Sequence, residues 1–171
     1  DGYVEAAAGL VVPMGEPIPE VELATSPAIT ARGGVTGANA SAELSLSFAS
    51  LRREPFLIDQ PNSERLRALI GGRLGQPVGS RSLLYVRGAV GVEQFRLHVW
   101  SARDPDRPVQ ETTIVARGLV LALGGGGHVD VGSVQLGLAV QLATTRELFL
   151  DNPPLYDVEA QLTVGARFGA R

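Results

Sequence analysis

The stretch from Val158 to Phe168 alternates apolar and polar side chains without a break. Val158, Ala160, Leu162, Val164, Ala166 and Phe168 fall on one side; Glu159, Gln161, Thr163, Gly165 and Arg167 fall on the other. Successive strand residues point to opposite faces, so a period of two predicts a strand with one apolar and one polar face. The length suits a tilted bilayer crossing as well as an edge strand of a soluble sheet. The same alternation recurs upstream. Gly2 to Val12 sets Val4, Ala6, Ala8, Leu10 and Val12 against Glu5, Ala7 and Gly9. Ala28 to Thr36 sets Ile29, Ala31 and Val35 against Thr30, Arg32 and Thr36. A third strand opposes Ala42, Leu44, Leu46 and Phe48 to Glu43, Ser45, Ser47 and Ala49. A fourth opposes Leu66, Ala68, Ile70 and Leu74 to Arg67, Gly71 and Arg73, and a seventh sets Val134, Leu136, Leu138, Val140 and Leu142 against Ser133, Gln135, Gly137, Gln141 and Thr145.

Two segments are less regular. The fifth strand begins with Leu84, Val86, Val90 and Val92 opposite Tyr85, Arg87, Ala89 and Gly91, but Phe95, Leu97 and Val99 follow in the other phase. A β-bulge near Glu93-Gln94 would account for the slip. In the sixth strand, Thr112 to Leu123, the faces stay unassigned: if Arg117 points inward, so do Leu119 and Leu121. Gly124 to Asp130 reads as a glycine-rich turn.

Eight strands result, and their connections sort by parity. Connections 1–2, 3–4, 5–6 and 7–8 are long and polar, whereas 2–3, 4–5 and 6–7 are short turns. Composition adds exclusions. The 171 residues suit a single domain, 1–171. All 15 basic residues are Arg and the net charge is −3, so nothing marks a nucleic-acid partner. Cysteine is absent, which removes disulfides, thiol nucleophiles and thiolate metal sites. No apolar run approaches a membrane-spanning helix. The chain opens on Asp1-Gly2-Tyr3 and passes straight into a strand, as a processed product would.

Strand number, loop parity and the terminal Val164-Gly165-Ala166-Arg167-Phe168 together resemble the small eight-stranded outer-membrane barrels of the OmpA/OmpX/OmpW type. The resemblance covers essentially the whole chain. It implies an all-β, eight-stranded antiparallel up-and-down transmembrane β-barrel in a bacterial outer membrane, monomeric, with long loops outside and short turns in the periplasm. It also implies a surrounding of outer-membrane lipid and lipopolysaccharide, and reading of Phe168 as an insertion signal by the barrel assembly machinery. Gly169-Ala170-Arg171 follow that Phe, where the family usually stops. Tyr3, Tyr85 and Phe168 are expected in a periplasmic aromatic girdle; Phe48, Phe95 and Trp100 are expected in an outer one, with Phe149 and Tyr156 nearby. A soluble lipocalin-like barrel would show the same alternation turned inside out, with Leu44, Leu136 and Leu162 lining a cavity for an apolar ligand.

On the polar face stand Glu5, Glu43 and Glu159 with Arg32, Arg67, Arg73, Arg87, Arg117 and Arg167. In a narrow lumen such charges need partners. They predict an ion-pair network in which Glu43 and Glu159 each meet an Arg and Glu5 pairs with Arg167 across the closing strands. The Arg excess would give any narrow path through it an anion preference. The four long loops carry Glu16, Glu20, Glu22, Glu54, Asp59, Glu64, Asp104, Asp106, Glu111, Glu147, Asp151 and Asp157 against Arg52, Arg53, Arg103, Arg107 and Arg146. Twelve against five leaves seven negative charges, suited to divalent-cation bridging or to a protein partner. Asp104-Pro105-Asp106 is too sparse for a calcium loop. Some eight-stranded barrels modify lipid A, but His98-Val99-Trp100-Ser101 lacks the His-x-Ser spacing of the deacylase type, and His128 falls on the periplasmic side. No catalytic residue, metal site or cofactor is assigned.

Overall fold

The computed structural model describes residues 1–14, 22–37, 39–54, 63–101, 110–147 and 154–168. Among these, eight long strands close into an antiparallel barrel: β1 (Gly2–Met14), β2 (Ser26–Thr36), β3 (Ala40–Leu51), β4 (Ser63–Val78), β5 (Ser82–Ser101), β6 (Gln110–Val131), β7 (Val134–Glu147) and β8 (Leu155–Phe168). Each pairs with its neighbour in sequence, and β1 closes on β8 from Gly2↔Phe168 to Met14↔Tyr156. A two-residue ladder, Glu22–Leu23 against Arg53–Glu54, ties the first long connection to the second. Gly79 and Gly132 sit in short turns with φ of 75° and 67°, a conformation that side chains disfavour.

The outer wall is apolar. Leu44, Leu136 and Leu162 are 57%, 47% and 66% exposed. They continue into a wall of exposed Val, Leu and Ile on every strand, including Val4, Ile29, Ile70, Val90, Leu121, Leu138 and Val164. This overturns the soluble-carrier alternative: these leucines face outward and not into the lumen, and water does not support an apolar patch of this extent. A bilayer does, and closure of the ladder leaves the strands without an open edge in lipid.

Three sequence expectations change. First, the glycine-rich turn over 124–130 is strand: β6 runs on to Val131. Its glycines leave room for Tyr85, whose hydroxyl would lie 2.7 Å from a Cβ on Gly126. The faces of β6 now follow: Val120, Ala122 and His128 point inward, and Leu119, Leu121 and Leu123 point outward. Second, β5 has no bulge. Its registers with β4 and β6 run unbroken through Glu93 and Gln94. What changes is polarity. At the long-loop end the lumen becomes apolar, with Val11, Ala28, Ala49, Leu51, Phe95 and Leu97 packed together beside Leu23 and Ala116. The outer face there becomes charged, with Arg96 3.6 Å from Glu64. Inside and outside exchange character, which in the bare pattern mimics a slip of phase.

Third, the aromatic girdles are thin. Tyr3, Tyr85 and Phe95 are buried in the lumen, while Phe48, Tyr156 and Phe168 are exposed on the wall. Phe149 and the Trp100 side chain lie outside the described residues. Phe168 lies over Gly2, where any side chain would collide with its ring.

Two outcomes check this architecture. Membrane-inserted protein should migrate differently before and after boiling on gel electrophoresis, and a single unshifted, freely soluble band would refute the barrel. Leu138→Arg or Leu162→Arg, at the middle of the wall, should each lower stability in phospholipid vesicles by about 2–4 kcal/mol in a urea titration.

Candidate functional site

The odd positions of β1, β3, β4, β5, β7 and β8 and the even positions of β2 and β6 face the lumen, because period-two alternation is kept through every ladder. Their charged side chains gather into two tiers.

The tier toward the short turns joins β1 to β5. Arg73 from β4 is its hub: Nη1 and Nη2 lie 3.1 and 3.2 Å from the two Glu5 oxygens, and Nε lies 2.6 Å from Glu43 Oε2. Arg32 Nη1 also reaches Glu5, at 2.5 Å. Arg87 pairs with Glu43 and donates to Ser45 Oγ at 2.9 Å and to Gln141. The Tyr3 hydroxyl donates to Glu43 Oε2 at 2.7 Å. The rings of Tyr3 and Tyr85 lie 5.1 and 4.6 Å from the Arg73 guanidinium carbon, which adds cation–π attraction. The planar five-donor guanidinium suits such a hub, since one side chain can serve two carboxylates.

The second tier lies nearer the long loops. Arg67 donates in bidentate fashion to Asp157, at 2.6 and 3.3 Å, and through Nε to Glu93 at 2.8 Å. Arg65 pairs with Glu159 and, at 3.1 Å, with Asp157. Gln161 links the tiers: it accepts from Arg32 and donates to Glu159 at 3.2 Å and to Thr30 at 3.0 Å. Leu69, Ala89, Val120, Ala122 and Ala143 pack beside these charges, on the β4–β7 side of the lumen. At the short-turn mouth a cavity of about 230 Å³ is lined by Tyr3, Arg73, His128, Gln135 and Arg167 among others.

Of the residues singled out by sequence, Glu5, Arg32, Glu43, Arg67, Arg73, Arg87 and Glu159 lie in these tiers. Two do not. Arg117 is exposed on the outer wall, on the face of Leu119 and Leu121. Arg167 is exposed at the mouth, with Nη2 3.4 Å from His128 Nε2. Glu5 is engaged by Arg32 and Arg73 instead, because its cross-strand partners are Gly165 and Arg32. Sequence reading missed Arg65, Glu93 and Asp157. Arg65 extends the inward phase of Arg67 and Arg73 by one step, Glu93 was hidden by the supposed bulge, and Asp157 was placed in a loop. With them, five described lumen arginines face five carboxylates, so the Arg excess and the anion preference built on it disappear. His98 points to the outer side, its Nδ1 3.3 Å from Thr113 Oγ1, while the Ser101 side chain and Asp104 lie outside the described residues. His128 is a lumen residue, not part of a turn.

Removing one buried partner leaves the others uncompensated. Arg67→Met should therefore cost about 3–5 kcal/mol in vesicle unfolding titrations. Arg117→Gln, on the outer rim, should stay within about 0.5 kcal/mol of the parent. Equal effects would contradict the separation of lumen from wall.

No family model matches the chain, and no curated protein matches it in sequence. Solved structures match its fold. Neisserial surface protein A aligns over 98% of this chain and 97% of its own, with a TM-score of 0.71 and 10% identity. A major outer membrane protein from Thermus thermophilus aligns over 98% and 100%, with a TM-score of 0.64 and 10% identity. Ail, the attachment invasion locus protein of Yersinia pestis, aligns over 98% and 96%, with a TM-score of 0.59 and 13% identity. Ail has also been crystallised with the heparin analogue sucrose octasulfate. At these identities the likeness is one of architecture: the chain has the fold of the small eight-stranded outer-membrane β-barrels.

Proposed function

We propose that the chain is an integral outer-membrane barrel with a lumen closed to solutes, and that it serves at the cell surface as a structural, adhesive or partner-binding protein. The observation that carries this reading is the apolar wall around an ion-paired, charge-balanced interior. Two tiers of bonded side chains and an apolar cap fill a bore only eight strands wide. Outer-membrane lipid and lipopolysaccharide surround the wall. Phe168, at the end of β8, is the signal for the barrel assembly machinery. The role is non-catalytic, and work at the surface falls to the long connections.

Their charge selects the partner. Asp157 belongs to the lumen, Glu64 to the outer wall of β4, and Glu111 and Glu147 to strand ends. The connections outside the barrel strands keep Glu16, Glu20, Glu22, Glu54, Asp59, Asp104, Asp106 and Asp151 against Arg52, Arg53, Arg103 and Arg107. Eight carboxylates against four guanidiniums favour a basic protein surface and disfavour a sulfated ligand of the kind bound to Ail.

In planar bilayers the purified protein should show no sustained conductance; a steady open channel would sink the closed-lumen reading. Proteoliposomes should bind polylysine in a salt-sensitive manner and heparin weakly. Neutralising Glu16, Glu20, Asp59, Asp104 and Asp106 to their amides should lower polylysine binding on the order of 10-fold or more. Stronger binding of heparin than of polylysine would reverse the assignment.

A further inference from the structure

Just beyond the apolar wall, on the long-loop side, β5, β6 and β7 present three exposed arginines to the outside. Arg117 follows Leu119 on the outward face of β6. Arg146 follows Leu142 with Thr144 between, and Arg96 follows Val92 with Gln94 between. Arg146 stands opposite Leu119, and Arg96 stands opposite Val115. Arg117 is thus the diagonal neighbour of both, at about 7–8 Å. A guanidinium stem reaches across such a gap, so the three heads can converge on one anion.

These arginines differ from those of the lumen, where every guanidinium is matched by a carboxylate. Among the described residues Arg117 and Arg146 have no ion pair. Arg96 has, among the described residues, only Glu64, at 3.6 Å, with both side chains about half exposed. The same rim elsewhere carries Met14, Ser50 and Tyr156, which are neutral. Arg52 is exposed two residues beyond Ser50, and the cluster of three arginines lies on the β5 to β7 arc. Directly below it the wall is Val92, Leu119, Leu121, Val140 and Leu142, all exposed. An anion that satisfies both features carries phosphate and acyl chains on one molecule. Arginine forks match phosphate oxygens, and the leucines below match hydrocarbon.

We propose that Arg96, Arg117 and Arg146 form a binding site for the phosphate of a phosphorylated lipid of the outer leaflet, whose acyl chains lie against β5 to β7. The proposal rests on the transmembrane reading above and adds to it a place and a chemistry. The lipid is the occupant rather than free phosphate, because the site opens onto the hydrocarbon-facing wall. Glu64 competes for Arg96 and weakens the site.

The test is native mass spectrometry of detergent-purified protein with lipid A, with lipid A stripped of its phosphates, and with inorganic phosphate as competitor. The parent protein should retain lipid A in preference to the dephosphorylated form. R96Q/R117Q/R146Q should lose that preference on the order of 100-fold while keeping its heat-dependent mobility, which shows that the barrel is intact. E64Q should strengthen retention. Should the triple variant fail to fold, R117Q and R146Q singly must each weaken retention. Equal retention by parent and variants overturns the site, as does equal retention of the dephosphorylated lipid. Displacement of lipid A by inorganic phosphate overturns the lipid as occupant. A parent protein that inserts into vesicles but shows no preference defeats this inference alone. One that inserts into no vesicle defeats the transmembrane reading and this inference with it.

Discussion

A backbone crossing hydrocarbon has no water to bond with, so each of its N–H and C=O groups must find a partner in the protein. The pairing of β1 with β8, from Gly2↔Phe168 to Met14↔Tyr156, meets that condition by closing the ladder on itself. The other features follow. Closure fixes one face toward lipid and one toward a bore, and the period of two sorts Leu138 and Leu162 outward and Gln141 and Glu159 inward. Eight strands make the bore narrow enough for side chains to fill it. Once filled, it tolerates charge only in opposed pairs.

The interior meets this second condition with few residues. Arg73 serves Glu5 and Glu43 while lying between two tyrosine rings, so its charge is shared among four groups. Space is complementary as well. Tyr85 occupies room left by the glycines of β6, and the two tiers meet at one amide, Gln161, that both donates and accepts. A network so connected resists piecemeal change, because no member can be removed without stranding another.

Much of this was legible in the residues. The alternation of β1, β3, β7 and β8 predicts their faces, and the parity of loop lengths orders them into a barrel. The failures share a cause: the pattern reports polarity, whereas the fold requires parity. In β5 parity is continuous, but the surroundings change above the wall, so Phe95 and Leu97 point into the bore where a lipid-facing pattern sends them out. In β6, Gly124 to Gly127 have no side chains to alternate, and a strand that makes room for a tyrosine on the neighbouring β5 reads as a turn. Tyr3 and Tyr85 resembled girdle residues by position along their strands, yet their parity places them with Arg73. Asp157 was hidden because proline-containing sequence before it suggested loop, although β8 begins at Leu155. Parity carried forward from Arg67 and Arg73 reaches Arg65 without further information.

The hairpin of β5 and β6 outlasts its neighbours. The β6–β7 ladder ends at Gly118↔Glu147, and the β4–β5 ladder at Glu64↔Arg96, while β5 and β6 stay paired to Ser101↔Gln110. From Val115, opposite Arg96, to Gln110, at about 3.4 Å per residue, this is roughly 17 Å of two-stranded ribbon measured along the strand. The paired ends of β5 and β6 therefore stand beyond the ladders on either side of them. Length of ribbon, rather than composition of loop, sets these two strand ends apart from the rest of the barrel.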